Sequence, residues 1–328
     1  MKINSLISAT FLLLISLACS RSDQEPDLFV DENVRQNLLN DLKPEPEVFY
    51  LAGNLNIPSP IFTSEGIRIQ FPFGGIRNAG GSVYPEGCEV KVVSMLRMKN
   101  MILNNQPTVG PDGLFESGGQ VSIKAIKRGS NVPIPFNPQF GLVDVAMPIK
   151  NVSLARFPNF PVWVGSQGVD SSNSWSQVRR DSILIGTSSV ENSIVKSFPE
   201  NDGLYNSFSI NNFGTFNLDY YYYLDLPKTN VYIKVPELVT LNNSVCYLAF
   251  PAINSVASLR TFDPVKNQFT LGLYEIPIGL KAKVVFISKH KGKYYSAIES
   301  ITVTKDLTIP LILKETTLDA FKASLGEL

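Results

Sequence analysis

The sequence predicts an all-β protein: two antiparallel β-sandwich domains with a short C-terminal helix, preceded by a lipoprotein signal and a flexible tether. Three observations lead to this fold class. Apolar and polar residues alternate along many short segments, which is typical of strands with one buried and one exposed face. Clusters of Gly, Pro and Asn separate these segments, and Gly and Pro number 22 each. The length of 328 residues exceeds what one compact core usually holds, which favours two domains.

Residues 1–18 are predicted to be a secretory signal peptide. Lys2 supplies the positive charge, residues 6–18 are apolar, and the small Ala18 stands before the expected cleavage position. The apolar run is shorter than the roughly 20 residues that a membrane-spanning helix needs. An uncleaved N-terminal anchor helix is the alternative.

Cys19 is the predicted lipidation site. Residues 16–19 resemble the lipobox of bacterial lipoproteins, in which the cysteine becomes the first residue and its sulfur carries a diacylglyceryl group. That pattern usually has Leu three places before the cysteine, where this chain has Ser16, so ordinary signal-peptide cleavage stays open. Each buried CH₂ group contributes about 0.8 kcal/mol, so two or more acyl chains give a lasting anchor. The membrane is therefore an expected partner through the N-terminal lipid.

Residues 19–47 are predicted to form the flexible tether. Residues 20–27 are polar and acidic, and they are similar to the export tether of Bacteroidota surface lipoproteins. This similarity favours an outer-membrane protein exposed at the cell surface over one that faces the periplasm. Pro44 and Pro46 favour an extended conformation, while residues 31–42 either form one short helix or have no regular structure.

The first sandwich is expected at residues 48–160 and the second at residues 201–314, with a Ser- and Asn-rich connector at residues 161–200. Segments in which every second residue is apolar are 67–71, 121–125, 231–235 and 282–286. The turn at residues 290–293 is predicted to close a β-hairpin.

Residues 315–328 are predicted to contain the C-terminal helix. Residues 316–319 offer a start similar to a capping box. Leu318, Phe321 and Leu325 then fall on one side of the helix, and we expect that side to pack on the last sheet.

The stretch 66–76 resembles the strand and turn of ZU5-like β-domains, which carry a V-x-I-P-x-G-A pattern; residues 73–75 depart from it. The segments 98–121, 210–214 and 276–280 are similar, in this order, to a group of secreted Bacteroidota lipoproteins in which such a domain precedes a second sandwich. The resemblance covers most of the chain after the signal. It implies a fold and a compartment, and it implies no activity.

Composition argues against several classes of partner and cofactor. Lys and Arg number 29, as do Asp and Glu, and no basic stripe is present, so a nucleic acid is not an expected partner. Apart from Cys19 there are only Cys88 and Cys246, for which two buried free thiols are favoured over a disulfide between the domains. With one histidine these are too few ligands for the common zinc sites, and we expect no cofactor.

The candidate catalytic residues do not combine into a known mechanism. His290, the sole histidine, falls in a Lys-rich turn, a poor place for an imidazole that must be oriented in a cleft. The Ser-x-x-Lys spacing occurs at Ser193/Lys196 and at Ser288/Lys291, but neither segment has a helical pattern. We therefore expect no enzyme. A pair of carboxylates for glycoside hydrolysis cannot be recognised from spacing and stays open.

Aromatic residues are the remaining candidates for ligand binding. Residues 220–223 are four tyrosines, and in a strand Tyr220 and Tyr222 share a face, where exposed rings can stack on sugars. The alternative is that one pair fills the core while the other stiffens an edge. Trp175 is either an anchor between the two domains or a surface contact residue.

These observations favour a non-catalytic surface lipoprotein that acts as an adhesion, scaffold or interaction module for a protein or glycan partner. The alternative is a glycan-binding lipoprotein that assists polysaccharide uptake across the outer membrane. A pilus subunit ranks third, because donor-strand assembly needs a removable N-terminal strand and the chain has few basic cleavage positions near its start.

Overall fold

Strands dominate the protein, as predicted. A computed structural model describes residues 33–52, 60–73, 76–78, 80–110, 112–135, 141–149, 161–167, 173–177, 194–198, 201–223, 225–272 and 276–328. The predicted signal peptide, Cys19 and the tether up to residue 32 lie outside the described residues. The all-β class is confirmed, and the strands form two sandwiches of mainly antiparallel sheets. Within the described part of the chain, no helix has both the length and the apolarity needed to span a bilayer.

Two sheets face each other in the first sandwich. Its strands are β1 (Glu47–Leu51), β2 (Ile61–Phe62), β3 (Arg68–Gln70), β4 (Cys88–Met95), β5 (Val109–Gly110), β6 (Gly113–Lys127), β7 (Val143–Pro148), β8 (Val162–Gln167), β9 (Asn173–Gln177), β10 (Ile194–Phe198), β11 (Asn201–Ile210) and β12 (Gly214–Tyr221). One sheet has the order β1-β4-β6-β12-β8-β9, with β5 paired to β6, and the other has the order β10-β11-β7-β3-β2. Their inner faces enclose a first apolar core, to which Ile69, Val92, Ile123 and Phe216 belong.

The boundary predicted for the first sandwich is wrong, because this sandwich continues through the expected connector to residue 221. Strands β8 and β9 form one edge of the larger sheet, where Gly165 pairs with Thr215. Strand β11 pairs with β7, and Ile210 lies opposite Val143. Ser and Asn residues are common in linkers, but they also suit edge strands that have one wet face. Composition therefore did not distinguish a linker from an edge strand.

The second sandwich begins after residue 227. Its strands are β13 (Lys228–Thr229), β14 (Val231–Lys234), β15 (Ser244–Phe250), β16 (Ser255–Ser258), β17 (Thr261–Asp263), β18 (Gln268–Thr270), β19 (Ile276–Pro277), β20 (Lys281–His290), β21 (Lys293–Thr302), β22 (Leu307–Pro310) and β23 (Lys314–Thr316). A sheet of order β17-β18-β14-β22 faces a sheet of order β16-β15-β20-β21-β23, and a separate pair joins β13 to β19. The predicted hairpin is confirmed, since His290 lies opposite Lys293 where β20 turns into β21.

Among the described residues, three α-helices lie outside the sheets: α1 (Val34–Leu42), α2 (Met98–Leu103) and α3 (Leu318–Ser324). Helix α3 confirms the predicted C-terminal helix: the Thr317 side chain accepts a hydrogen bond from the backbone N–H of Ala320 at 3.1 Å. All three helices pack on the outer face of the sheet that contains β15 and β20. We call this second buried layer the interface core; it includes Leu38, Leu42, Met101, Ile102, Tyr247, Val285, Ile287 and Phe321.

Two expectations change because of the interface core. Residues 31–42 were expected to be part of a tether that ends at residue 47; instead α1 belongs to the folded body, because its Leu38 and Leu42 have no exposed surface. The alternation at residues 282–286 was expected to leave one face of β20 wet, yet Val285 and Ile287 on that face are buried. Helices from distant parts of the sequence supply the cover.

Hydrogen bonds join the two sandwiches next to the interface core. The backbone N–H of Thr108 donates to the carbonyl of Val256 at 2.8 Å, and the Val256 N–H donates to Thr108 Oγ1 at 2.7 Å. Asn254 Nδ2 donates to the carbonyls of Leu96 and Ser117 at 3.1 and 3.2 Å. Polar groups buried between the domains are therefore paired, which fixes the contact between the two bodies.

Candidate ligand-binding groove

The tyrosines predicted to bind a ligand do not form one platform. Tyr220 is half-buried and packs on the first core, whereas Tyr222 is half-buried and packs on the core of the second sandwich. Burial raises the pKa of both phenols. Tyr223 is 76% exposed, and the centroid of its ring lies 5.5 Å from that of Tyr221. The structure therefore favours the core-filling alternative for Tyr220 and Tyr222.

Trp175 is buried, with 3% of its surface exposed, in an aromatic cluster on the outer face of the larger first sheet. The other members are Phe115, Trp163 and Tyr221; the ring centroids of Phe115 and Trp163 are 4.7 Å apart. Trp175 Nε1 donates to the carbonyl of Pro107 at 2.8 Å. Thr108, which follows Pro107, makes the hydrogen bonds to Val256 of the second sandwich described above. Trp175 thus supports the interdomain contact from the first sandwich and is not a surface contact residue.

The other candidate residues are the cysteines, the serines and the sole histidine. Cys88 and Cys246 are free and buried, one in each sandwich core, so the free-thiol prediction is confirmed. Ser288 is buried in the sheet and His290 lies at the hairpin end, while Ser193 lies outside the described residues. Among the residues that the structure describes, no group of His, Cys, Asp and Glu could hold a metal ion.

A buried carboxyl group lies on β12. Asp219 has no exposed surface, follows an irregularity in the pairing of β12 with β6, and accepts a hydrogen bond from Asn217 Nδ2. Burial raises its pKa well above the usual range, although nearby donors, Ser117 and Asn217 among them, lower it. Trp163 Nε1 donates to its backbone carbonyl at 2.9 Å. Enclosed in this way, Asp219 has no contact with solvent or with a substrate, so we assign it a structural role.

A groove of about 530 Å³ lies between α1 and the outer face of the larger first sheet. Its walls are one side of α1 and the loop at residues 104–106, and its floor is formed by β4, β6, β8 and β12. We call it the central groove. Gln36, Asn40 and Lys43 point into it, at a spacing that places them on one side of the helix. The opposite side of α1 is the one that enters the interface core.

Three lysines line the central groove, and none of the lining residues that the structure describes is Asp or Glu. Lys91 and Lys124 lie directly opposite each other on β4 and β6, while Lys43 approaches from the end of α1. None of the three makes an ion pair with a described residue. Like charges placed directly opposite on neighbouring strands destabilise a sheet. The floor of the groove therefore carries uncompensated positive charge.

Neutral hydrogen-bonding groups complete the lining. Gln36 Nε2 donates to Asn40 Oδ1 at 3.1 Å on the helix wall. Thr215 Oγ1 donates to Ser122 Oγ at 3.1 Å on the floor. Asn104, Asn105 and Gln106, which also carry side-chain amides, form the loop wall. These side chains both donate and accept hydrogen bonds, so the groove combines positive charge with groups that suit a polar ligand.

A scan against protein-family models found no match, and no curated protein matches the chain. The central groove therefore has to be interpreted from its own chemistry. Sequence reasoning missed it, although Lys91 and Lys124 each sit between apolar neighbours as an outward-facing strand residue would. The missing information was that the two strands are neighbours in this register and that α1 closes over them.

Proposed function

We propose that this chain is a non-catalytic lipoprotein, anchored to the outer membrane through lipid on Cys19, that presents a rigid two-sandwich body as a binding module at the cell surface. The N-terminal sequence and its resemblance to Bacteroidota lipoproteins with a ZU5-like domain support the anchor and the compartment. The buried interface core supports the rigid body, and it is the observation that carries the proposal.

Helix α1 gives the interface core its relevance to anchoring. It is the first described helix after the proposed lipid site, and it bonds to three partners in the second sandwich and α3. Asp41 Oδ2 accepts from Lys289 Nζ at 2.7 Å and from the Tyr294 hydroxyl at 2.8 Å, and the Asp41 carbonyl accepts from Lys322 Nζ at 2.7 Å. A tether that ends in a docked helix links the membrane anchor to both domains. This arrangement suits a display or scaffold role.

Glycan binding is the second candidate function for such a body, and the central groove supports it better than the tyrosines of residues 220–223 do. A pilus subunit has less support, because the N-terminal helix is docked on the body and the first strand, β1, is already paired with β4. Catalysis has no support from the positions of His290 and Ser288.

The test compares Cys19→Ser with Cys88→Ala, a matched change at a buried thiol, in the native cells. We expect the wild type and Cys88→Ala to fractionate with the outer membrane, to carry a lipid-modified N-terminal cysteine by mass spectrometry, and to be cleaved by protease added to intact cells. Cys19→Ser should lose the lipid and leave the membrane fraction. Unchanged membrane retention of Cys19→Ser, or full protease protection of the wild type, would contradict the proposal.

A further inference from the structure

The charge pattern of the central groove is the starting point. Lys91 and Lys124 repel each other across β4 and β6, and no described residue of the lining carries a negative charge to offset them. Lys43 adds a third positive charge from the helix wall. A bound anion offsets this repulsion, because it lies between the two lysines of the floor and the lysine of the helix wall.

The neutral lining narrows the chemistry of that anion. The side-chain amides of Gln36 and Asn40 on α1, with the hydroxyls of Ser122 and Thr215 on the floor, are groups that both donate and accept hydrogen bonds. Sugar hydroxyls also donate and accept, so a sugar ring can satisfy such a lining from several directions. The floor includes Gly165 and Gly214, which leave room for a ring to approach the sheet backbone.

Other anionic macromolecules fit less well. Unpaired nucleobases stack on aromatic side chains, and the described part of the groove lining contains no aromatic residue. Extended acidic peptides are commonly held by pairing with a free strand edge. Here β4 is flanked by β1 and β6, and β6 is flanked by β4 and β12, so the floor offers no free edge. The volume of about 530 Å³ falls within the range of pockets for small ligands.

We propose that the central groove binds an acidic oligosaccharide, whose carboxylate or sulfate groups contact Lys91, Lys124 and Lys43 while its hydroxyls bond to the amides and hydroxyls of the lining. This inference rests on the proposed function as a binding module and names the ligand class for it.

Calorimetric titration of the purified full chain tests the inference. The probes are a galacturonate tetrasaccharide, a sulfated tetrasaccharide and a neutral galactose tetrasaccharide. We expect one or both acidic probes to bind, with an affinity that falls as salt is added, and the neutral probe to bind much more weakly. In the double variant Lys91→Gln/Lys124→Gln the Kd for the acidic probe should rise by about tenfold or more.

Lys127→Gln is the matched control, because Lys127 lies on the same strand β6 but outside the groove, 3.5 Å from Glu86. It should leave the Kd unchanged. The double variant relieves a repulsion, so its thermal midpoint should equal or exceed that of the wild type, which separates lost binding from lost folding. Equal affinity of the double variant and the wild type would overturn the inference.

Binding of an acidic peptide or an oligonucleotide, with no binding of either acidic saccharide, would also overturn it. The anchoring experiment does not depend on these lysines. A chain that is lipidated and surface-exposed but binds no acidic saccharide keeps the proposed function and loses this inference. A chain that binds the saccharide through Lys91 and Lys124 but lacks lipid keeps the inference and loses the anchor.

Discussion

The central strands of the two sandwiches, β6 and β20, differ in what covers their outer faces. On β6 the outward residues Ser122 and Lys124 stay polar and reach the central groove. On β20 the outward residues Val285 and Ile287 are buried beneath helices. Both strands bury their inner faces in a sandwich core, so the difference lies entirely in what covers the second face.

One helix accounts for much of this difference. The side of α1 that carries Leu38 and Leu42 covers the second sandwich, and the side that carries Gln36, Asn40 and Lys43 forms a wall over the first. An amphipathic helix usually has one buried and one solvent-facing side. Here the polar side also faces protein, across a groove. The comparison teaches that one short segment can complete a core and a candidate binding site at once.

The largest expected effect comes from removing the apolar cover of the second sandwich. Leu42→Ala deletes a fully buried side chain from the interface core and should lower the free energy of unfolding by about 3 kcal/mol, as measured by urea denaturation. Val48→Ala, at a 41% exposed position beside Lys91 on the outer face of the larger first sheet, is the control and should cost about 1 kcal/mol or less. Equal losses for the two variants would remove the distinction between a covered and an open face.

The next effect concerns the polar contact between the sandwiches. The hydroxyl of buried Tyr247 donates to Asn105 Oδ1 at 2.9 Å, so Tyr247→Phe should cost roughly 1–2 kcal/mol in the same denaturation assay. Tyr232→Phe, at a half-exposed position on β14, should change stability little. A neutral result for Tyr247→Phe would show that this hydrogen bond does not stabilise the contact between the domains.

Asp41→Asn tests the docking of α1 by its pH dependence. Burial raises the pKa of Asp41, but hydrogen bonds from Lys289 and Tyr294 and the nearby positive charges outweigh burial and leave it below the ordinary value of 3.8. A lowered folded-state pKa means that the carboxylate stabilises the fold above pH 3.8 and that this contribution disappears as the pH falls through the folded-state value.

At neutral pH the loss for Asp41→Asn should be about 1 kcal/mol, kept small because the side chain is 33% exposed and solvent screens the ion pair. The difference from the wild type should shrink as the solution is acidified below pH 3.8. Asp263→Asn, which alters an exposed pair with Lys266, should have a smaller effect at every pH. A difference that stays constant in acid would contradict a role for the Asp41 charge.

The smallest effect has the opposite sign. Lys124→Glu places an acid directly opposite Lys91 and should raise stability by roughly 0.5 kcal/mol, seen as a higher thermal midpoint. Lys127→Glu on the same strand instead faces Glu86 and should lower the midpoint slightly. If Lys124→Glu lowers it, the two lysines on the floor of the groove do not repel each other in the folded protein.

Local patterns predicted much of the fold. The alternation at residues 67–71, 121–125 and 231–235 corresponds to buried inner faces, and the hairpin and the Thr317 cap lie where the sequence places them. These features depend on neighbours a few residues away. The domain boundary depended on which strands pair across long separations, so a Ser- and Asn-rich stretch could not be recognised as the sheet edge formed by β8 and β9.

The candidate site was harder to predict for the same reason. Alternation correctly places Lys91 and Lys124 on outward faces, but only the register of β4 against β6 makes them a pair. The tyrosine run shows the converse limit. Strand parity puts Tyr220 and Tyr222 on one side, yet the chain passes from one sandwich to the other just after β12, so the two rings enter different cores.

The docking of α1 also has a consequence for the order of folding. The helix is synthesised before its partners: the bond from Lys322 to Asp41 spans 281 positions. A nine-residue helix is unstable by itself in water, so it gains its structure from those late partners. Helix α1 therefore docks only after Lys322 has been synthesised, so its packing on the second sandwich is a late step of folding.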